Sequence, residues 1–504
     1  MKTKIYLILF FAFPFISCNS WLDVTPQGQV EASDMLSSEK GYNSALGGVY
    51  YTLSSSTLYG KELSYGLMDL LAQYWDVSNS TSHKYYKLAQ YDYKDANSVA
   101  KFNAIWKEFY SCITQCNLII ASLNKNREDI KYAELFEGET YALRAFVHME
   151  LLRLFGPVIR TTTDLDKTGI AYRTEFNVEA KKFDSAREVL NKAKVDLTKA
   201  LELLKNDPIN TVGRKGDKNT SLLGYNDILN RRGSRMNYYA VLGMLARLEQ
   251  LMLNQDQAYI YAKRIIDESK ASKVLTLIDK VSMGSATESW KDLNYSCEML
   301  FALYTNNLYD LTNATFMMEG KGTANSAFPI NSALYTTFLN DIYGRQPDGA
   351  GTDNRLRYWF VKNGQTNDYY EFKKLKEATK ATGLKPPYDP EIPVMRLSEV
   401  YYIACEAQIG KDNALALSYL NEVRDTRNLS PIEGSLTNEE LLEYLLREQR
   451  KDFIGEGRMF PLYKRLFTSF YVKQGVTIEP LEQYFIFPIP DAEYEYSPNV
   501  KPNN

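Results

Sequence analysis

The stretch from Gly138 to Val158, GETYALRAFVHMELLRLFGPV, decides how the chain is read. Folded as a helix, it carries apolar residues around nearly its whole circumference, leaving Arg144 and His148 as a narrow polar stripe one turn apart. Such a helix is buried between neighbours, and Gly156-Pro157 stops it. His148 therefore reads as a packed, hydrogen-bonded histidine rather than a ligand.

The neighbours lie on either side in sequence. Before it, FNAIWKEFYSCITQCNLIIASL (102 to 123) places Ile105, Phe109, Cys112, Ile113, Cys116 and Ile120 at three- and four-residue spacings, an amphipathic helix. After it come helical segments over 183 to 204, 235 to 253 and 256 to 269, and a further pair over 393 to 410 and 413 to 428. Small residues sit where two helices must approach: Ala240, Gly243 and Ala246 in one segment, Ala404 and Ala407 in another. These are tetratricopeptide-like hairpins with irregular spacing. Residues 270 to 392 differ, being rich in Gly and Asn, with short apolar pieces such as MLFALYT and loops such as YGRQPDGAGTDN. The expected fold is mostly α, a set of helical hairpins carrying an irregular, loop-rich insertion.

At the front, Lys2 and Lys4 precede an apolar run from Ile5 to Ile16 that ends in Ser17, the layout of an export signal over residues 1–17. The run is too short to span a bilayer comfortably. Cys18 follows at the cleavage position and is the candidate lipid anchor. Each buried methylene of an attached acyl chain adds about 0.8 kcal/mol of membrane affinity. The alternative is an incidental thiol beside a conventional cleavage site.

The net charge of -3 and the lack of a Lys/Arg run argue against a nucleic-acid partner. Cys112 and Cys116 lie on one helical face and read as small core residues rather than a metal or disulfide pair. With only His83 and His148 in the chain, a zinc site is not expected. The unusual number is aromatic: 38 Tyr, 23 Phe and 5 Trp, which suits both helix interfaces and platforms for amphipathic ligands such as sugars.

From Cys18 to Asn504 the chain resembles the SusD/RagB family of nutrient-binding outer-membrane lipoproteins. The resemblance is carried by the cysteine followed by WLDVTP, by ETYALRAFVHMELLRLFGPV, RMNYYAVLGMLARLEQLM, MLFALYTNN, RLSEVYYIACEAQ and ALSYLNEVRDTRNL, by LLREQRKDFIGEGRMFPLYKR, and by the terminal FIFPIPDAEYEYSPNVKPN, in family order. Two positions depart from the family pattern: Pro461 stands where Asp is common, and Glu448-Gln449-Arg450 replaces Glu-Arg-Arg. Both touch packing rather than binding. Glu448, Asp452 and Glu456 repeat every four residues, a stripe that is usually solvated. The resemblance implies instead that some of these charges fix the last helix against the fold.

The resemblance also implies an N-terminal region over 18–225 with the anchor and first hairpins, and a C-terminal region over 226–504 that includes the insertion. It implies a cell-surface lipoprotein, held in the outer membrane and facing the exterior, that captures oligosaccharides and delivers them to a partner TonB-dependent transporter of the SusC type. No catalysis and no cofactor are implied. The tetratricopeptide face would meet the transporter, and the insertion with the loops near the first helices would form the ligand surface. Alternatives are a peptide-capturing member of the family and a surface glycoside hydrolase, which would need two carboxylates about 5 to 10 Å apart.

Family members hold glycans by aromatic stacking and by polar side chains that read hydroxyls. The segment LLAQYWDVSNSTSHKYYKLAQYDY (70 to 93) is the first candidate, with Tyr74, Trp75, Asp76, Asn79, Tyr85 and Tyr86 in a polar, turn-rich run. Trp75 is either a ligand platform or a core ring. Trp290 and Trp359 are further candidates, each beside apolar pieces on which it could simply pack.

Overall fold

The computed structural model describes residues 35–77, 80–214, 228–281, 292–318, 322–331, 335, 342–343, 351–362, 369–375, 390–471 and 477–496. Helices dominate: α1 (Glu39–Leu53), α2 (Ala96–Asn126), α3 (Ala133–Phe155), α4 (Ala186–Leu203), α5 (Tyr238–Leu251), α6 (Gln255–Ser272), α7 (Leu397–Gln408), α8 (Asn413–Thr426), α9 (Asn438–Asp452) and α10 (Met459–Leu466). From α1 to α9 each helix packs on the next, so the hairpins form one continuous array. The array bridges the insertion, because α6 packs directly on α7 although more than a hundred residues separate them in sequence.

Local chemistry sets the helix starts. Ser185 and Glu188 close a capping box on α4, Thr437 and Glu440 another on α9, and Asp95, Asn237, Asn254 and Asp412 cap α2, α5, α6 and α8. As expected, α3 is buried almost all round and ends at Gly156. Its polar stripe is fully satisfied. Arg144 donates through Nε and Nη2 to Asp196 on α4, each at 2.7 Å, and through Nη1 to Asn117 on α2 at 2.9 Å. His148 stacks on Tyr172 with ring centroids 3.7 Å apart, and its Nε2 accepts from the Arg173 amide at 3.0 Å. That bond leaves Nδ1 to donate to the Arg144 carbonyl at 2.8 Å, and burial holds the ring well below its ordinary pKa, in the neutral form.

The insertion carries strands β1 (Met299–Tyr304), β2 (Ile330–Asn331), β3 (Phe360–Lys362), β4 (Tyr369–Phe372) and β5 (Glu391–Arg396). β1 and β5 pair antiparallel, with Ala302 opposite Pro393, and β2, β4 and β3 form a small antiparallel sheet in that order. The helix expected from 393 therefore begins only at Leu397, since its first four residues are strand. β1 and β5 lie against α5. A Cβ on Gly243 would sit 2.5 Å from the Met395 sulfur and 3.1 Å from a Leu300 methyl, so a larger residue there would require these side chains to shift.

The acidic repeat in α9 is buried rather than solvated. Glu448, Asp452 and Glu456 are each at most 3% exposed. Asp452 takes Arg396 at 2.9 Å and Arg427 at 3.0 Å, and both arginines also reach Glu298. Glu448 takes Arg355 of the insertion and Arg424 of α8. This cluster fastens the ends of α8 and α9, the strand β5 and the insertion at one point. Among the described residues no helix is long and apolar enough to cross a membrane.

Candidate functional site

The segment 74–86 lies against the insertion. The Lys84 amide donates to the Asn325 carbonyl at 2.8 Å, and His83 Nε2 lies 3.0 Å from the Ala327 carbonyl. The two pieces expected to form a ligand surface are thus neighbours.

The aromatic residues singled out in sequence mostly build the floor of this surface. Trp75 is 3% exposed. Its ring lies parallel to Phe328 and edge-on to Phe316 and Phe372, while its indole N–H donates to the Tyr65 carbonyl at 2.8 Å. Tyr74 is buried beside it and donates to the Arg450 carbonyl at 2.5 Å. Tyr85 is buried, donates to Glu62 at 2.6 Å and carries the Lys101 ammonium 4.5 Å above its ring. Trp359 is wholly buried, donating to the Leu293 carbonyl and lying under Lys374. The expectation that Tyr74, Trp75, Tyr85 and Trp359 present their rings to a ligand is corrected. The polar, turn-rich run around them is a short linker over a core, and the rings take the apolar side because the insertion supplies Phe316, Phe328 and Phe372 to meet them.

Asp76 and Tyr86 are half-buried at the border of the same region. Asn79, Trp290 and Cys18 lie outside the described residues.

Sequence reading missed two tyrosines. Tyr335 and Tyr370, both half-buried, lie face to face with ring centroids 3.4 Å apart and 4° between planes. Tyr370 is on β4, on the same face of the strand as the core ring Phe372 two residues further on, and Tyr335 also touches Phe360. The available signal was the period-two pattern of YYEF, which sends Phe372 and Tyr370 to neighbouring positions of one small sheet. Phe360 packs on Phe372 and Phe372 on Trp75, so one aromatic chain runs from the tyrosine pair to the 74–86 segment. A second recess of about 220 Å³ lies over the loop 173–181, but its Arg173 and Asn177 side chains bond within the loop itself.

Among the described residues no group of His, Cys, Asp and Glu is arranged to hold a metal ion.

Solved structures share this helical-array fold. A SusD superfamily protein from Bacteroides thetaiotaomicron matches with a TM-score of 0.68 at 19% identity, over 93% of this chain and 100% of that one. A putative sugar binding protein from Bacteroides vulgatus matches with a TM-score of 0.66 at 21% identity, over 92% and 97%. A SusD-like carbohydrate binding protein from Bacteroides vulgatus gives 0.67 at 17% identity, over 92% and 97%. No curated protein matches. The family described as starch-binding associating with outer membrane matches residues 20–219, and the SusD family matches residues 312–504. The chain belongs to the SusD/RagB family.

Proposed function

We propose that this protein is a non-catalytic, glycan-binding lipoprotein of the outer membrane, anchored through Cys18 and exposed at the cell surface. It captures oligosaccharides and passes them to a TonB-dependent transporter of the SusC type. Family membership supports the class, and two structural neighbours are named for sugar binding. The observation that carries the ligand site is the stacked Tyr335–Tyr370 pair, half-buried on a core of buried rings beside the 74–86 segment. Flat rings of this kind match the C–H faces of sugars, and the half-buried Asp76 and Tyr86 are polar groups of the 74–86 segment, which the ring chain through Phe360, Phe372 and Trp75 links to the pair. Tyr74, Trp75, Tyr85 and Trp359 act beneath the surface, by holding it in place.

Titrating the purified protein with a panel of neutral and acidic oligosaccharides tests this reading. Binding without cleavage is expected, and Tyr370→Ala should weaken it at least about tenfold, equivalent to about 1.4 kcal/mol, while moving the melting temperature little. Release of sugar products would point to the hydrolase. Binding of peptides with no response to any glycan would point to a peptide-capturing protein.

The anchor is tested separately. Cys18→Ala should fold normally yet fail to incorporate labelled fatty acid and leave the membrane fraction; label retained on the variant would refute the anchor.

A further inference from the structure

Away from the insertion, a cavity of about 60 Å³ opens between α3, α5, α7, α9 and α10, with partly exposed Leu251 and Arg465 among its lining residues. Space of that size holds roughly four or five water-sized atoms, enough for one compact charged group and too little for a sugar ring. Its polar lining is dominated by arginine. Arg247 is engaged by Glu399 and the Val394 carbonyl, with Nη1 against the Met244 sulfur at 3.8 Å, and Arg465 by Glu406.

Arg153 is different. Its side chain is only 9% exposed, and Nη2 meets Glu150, but neither Nε nor Nη1 has a hydrogen-bond partner among the described residues. Glu150 is itself shared, since it also accepts from the Tyr59 hydroxyl at 2.5 Å. Arg458 gives Nη2 to Glu399 at 2.9 Å and leaves Nε unpartnered. Gln449, 5% exposed, has an unpartnered amide oxygen in the same cavity, and its amide can turn a donor inward instead. Close by, the buried Lys464 ammonium is spent on the Arg153 and Gly156 carbonyls, with Glu482 the carboxylate whose charge acts on it. Burial above all, with the neighbouring Arg247 and Arg153 adding to it and Glu399 opposing, pulls the Arg458 guanidinium down to about 10. Buried guanidinium N–H groups are costly when left without acceptors, and their planar fork matches an oxyanion.

We propose that this cavity binds a single oxyanion group, a carboxylate or sulfate, held by the unpartnered N–H groups of Arg153 and Arg458 with Gln449 beside them. The inference goes beyond glycan capture at the insertion and does not depend on it. The group comes either from an acidic sugar or from a free inorganic anion.

Equilibrium dialysis of the wild-type protein against labelled sulfate at fixed ionic strength tests the site. Saturable binding of about one sulfate per chain is expected. Glucuronate, but not glucose, competes if the natural group is a sugar carboxylate; competition by phosphate alone assigns the site to inorganic anions. Arg153→Gln and Arg458→Gln should each weaken binding at least about tenfold, whereas Arg187→Gln, at an exposed pair on α4, should not. Absence of saturable binding by the wild type overturns the proposal, as does full binding by the folded cavity variants. Should those variants fail to fold, selenate soaked into wild-type crystals decides: anomalous density between Arg153 and Arg458 upholds the site, and density only elsewhere refutes it.

Discussion

Trp75 shows how far a single residue can be read from its neighbours in sequence. The run around it is polar and rich in turns, which suits a surface loop, yet its ring is sealed by Phe316, Phe328 and Phe372 from a segment more than two hundred residues away. Nothing local announces those partners, so the choice between ligand platform and core ring was open until the insertion was placed. His148 went the other way: the all-round apolar helix already implied burial, and a buried neutral imidazole followed from it. Trp75→Ala should lower stability by about 3 to 5 kcal/mol, as for other buried aromatics, with Trp75→Phe losing less. The urea midpoints of the two variants check this. A wild-type midpoint for the alanine variant would mean that the ring is not part of the core.

Among elements, the hairpins were legible because helical periodicity and small residues at crossings are local signals. The charge ladders were not. Whether Glu448, Asp452 and Glu456 are solvated or buried depends on Arg355, Arg396 and Arg427, which come from three other parts of the chain. The same holds for Glu399 on α7, which ties α5 through Arg247 at 2.5 Å and the start of α10 through Arg458 at 2.9 Å. Burial acts to raise the Glu399 carboxyl, but the two guanidiniums outweigh it and hold the group at about 2, against an ordinary 4.5. A depressed carboxyl contributes stability that is complete above its unfolded pKa and is lost as pH falls through the folded one. Stability should therefore decline between about pH 4.5 and 2, with about 3 kcal/mol of the loss traceable to this group. Glu399→Gln should be less stable at pH 7 and show a shallower decline over that window. Denaturant titrations of both proteins at several pH values give the comparison, and parallel profiles would remove Glu399 from the account.

For the whole molecule, the regions 18–225 and 226–504 suggested by sequence are bound by contacts that neither could keep alone. Asp69, in the first region, accepts the amides of Gly455 and Gly457 at 2.6 and 3.0 Å. Both glycines have positive φ, and a Cβ on Gly457 would fall 2.1 Å from the Leu63 carbonyl oxygen, so this turn is shaped to fit the first region. Tyr74 bonds the Arg450 carbonyl, the Phe487 amide donates to the Leu154 carbonyl, and Phe487 stacks on Phe102 of α2. The buried apolar residues of both regions form one connected core. A shared core and an unbroken helical array predict that the folded body unfolds as one unit. Far-ultraviolet circular dichroism and tyrosine and tryptophan fluorescence should then trace the same urea transition, and neither 18–225 nor 226–504 expressed alone should give a cooperative one. Two separated transitions, or a stably folded fragment, would show that the seam through Asp69 and Phe487 joins two independent domains. Gly457→Ala acts on that seam directly: it should lower the single midpoint while leaving the two optical signals coincident, because strain at a shared turn weakens both regions together.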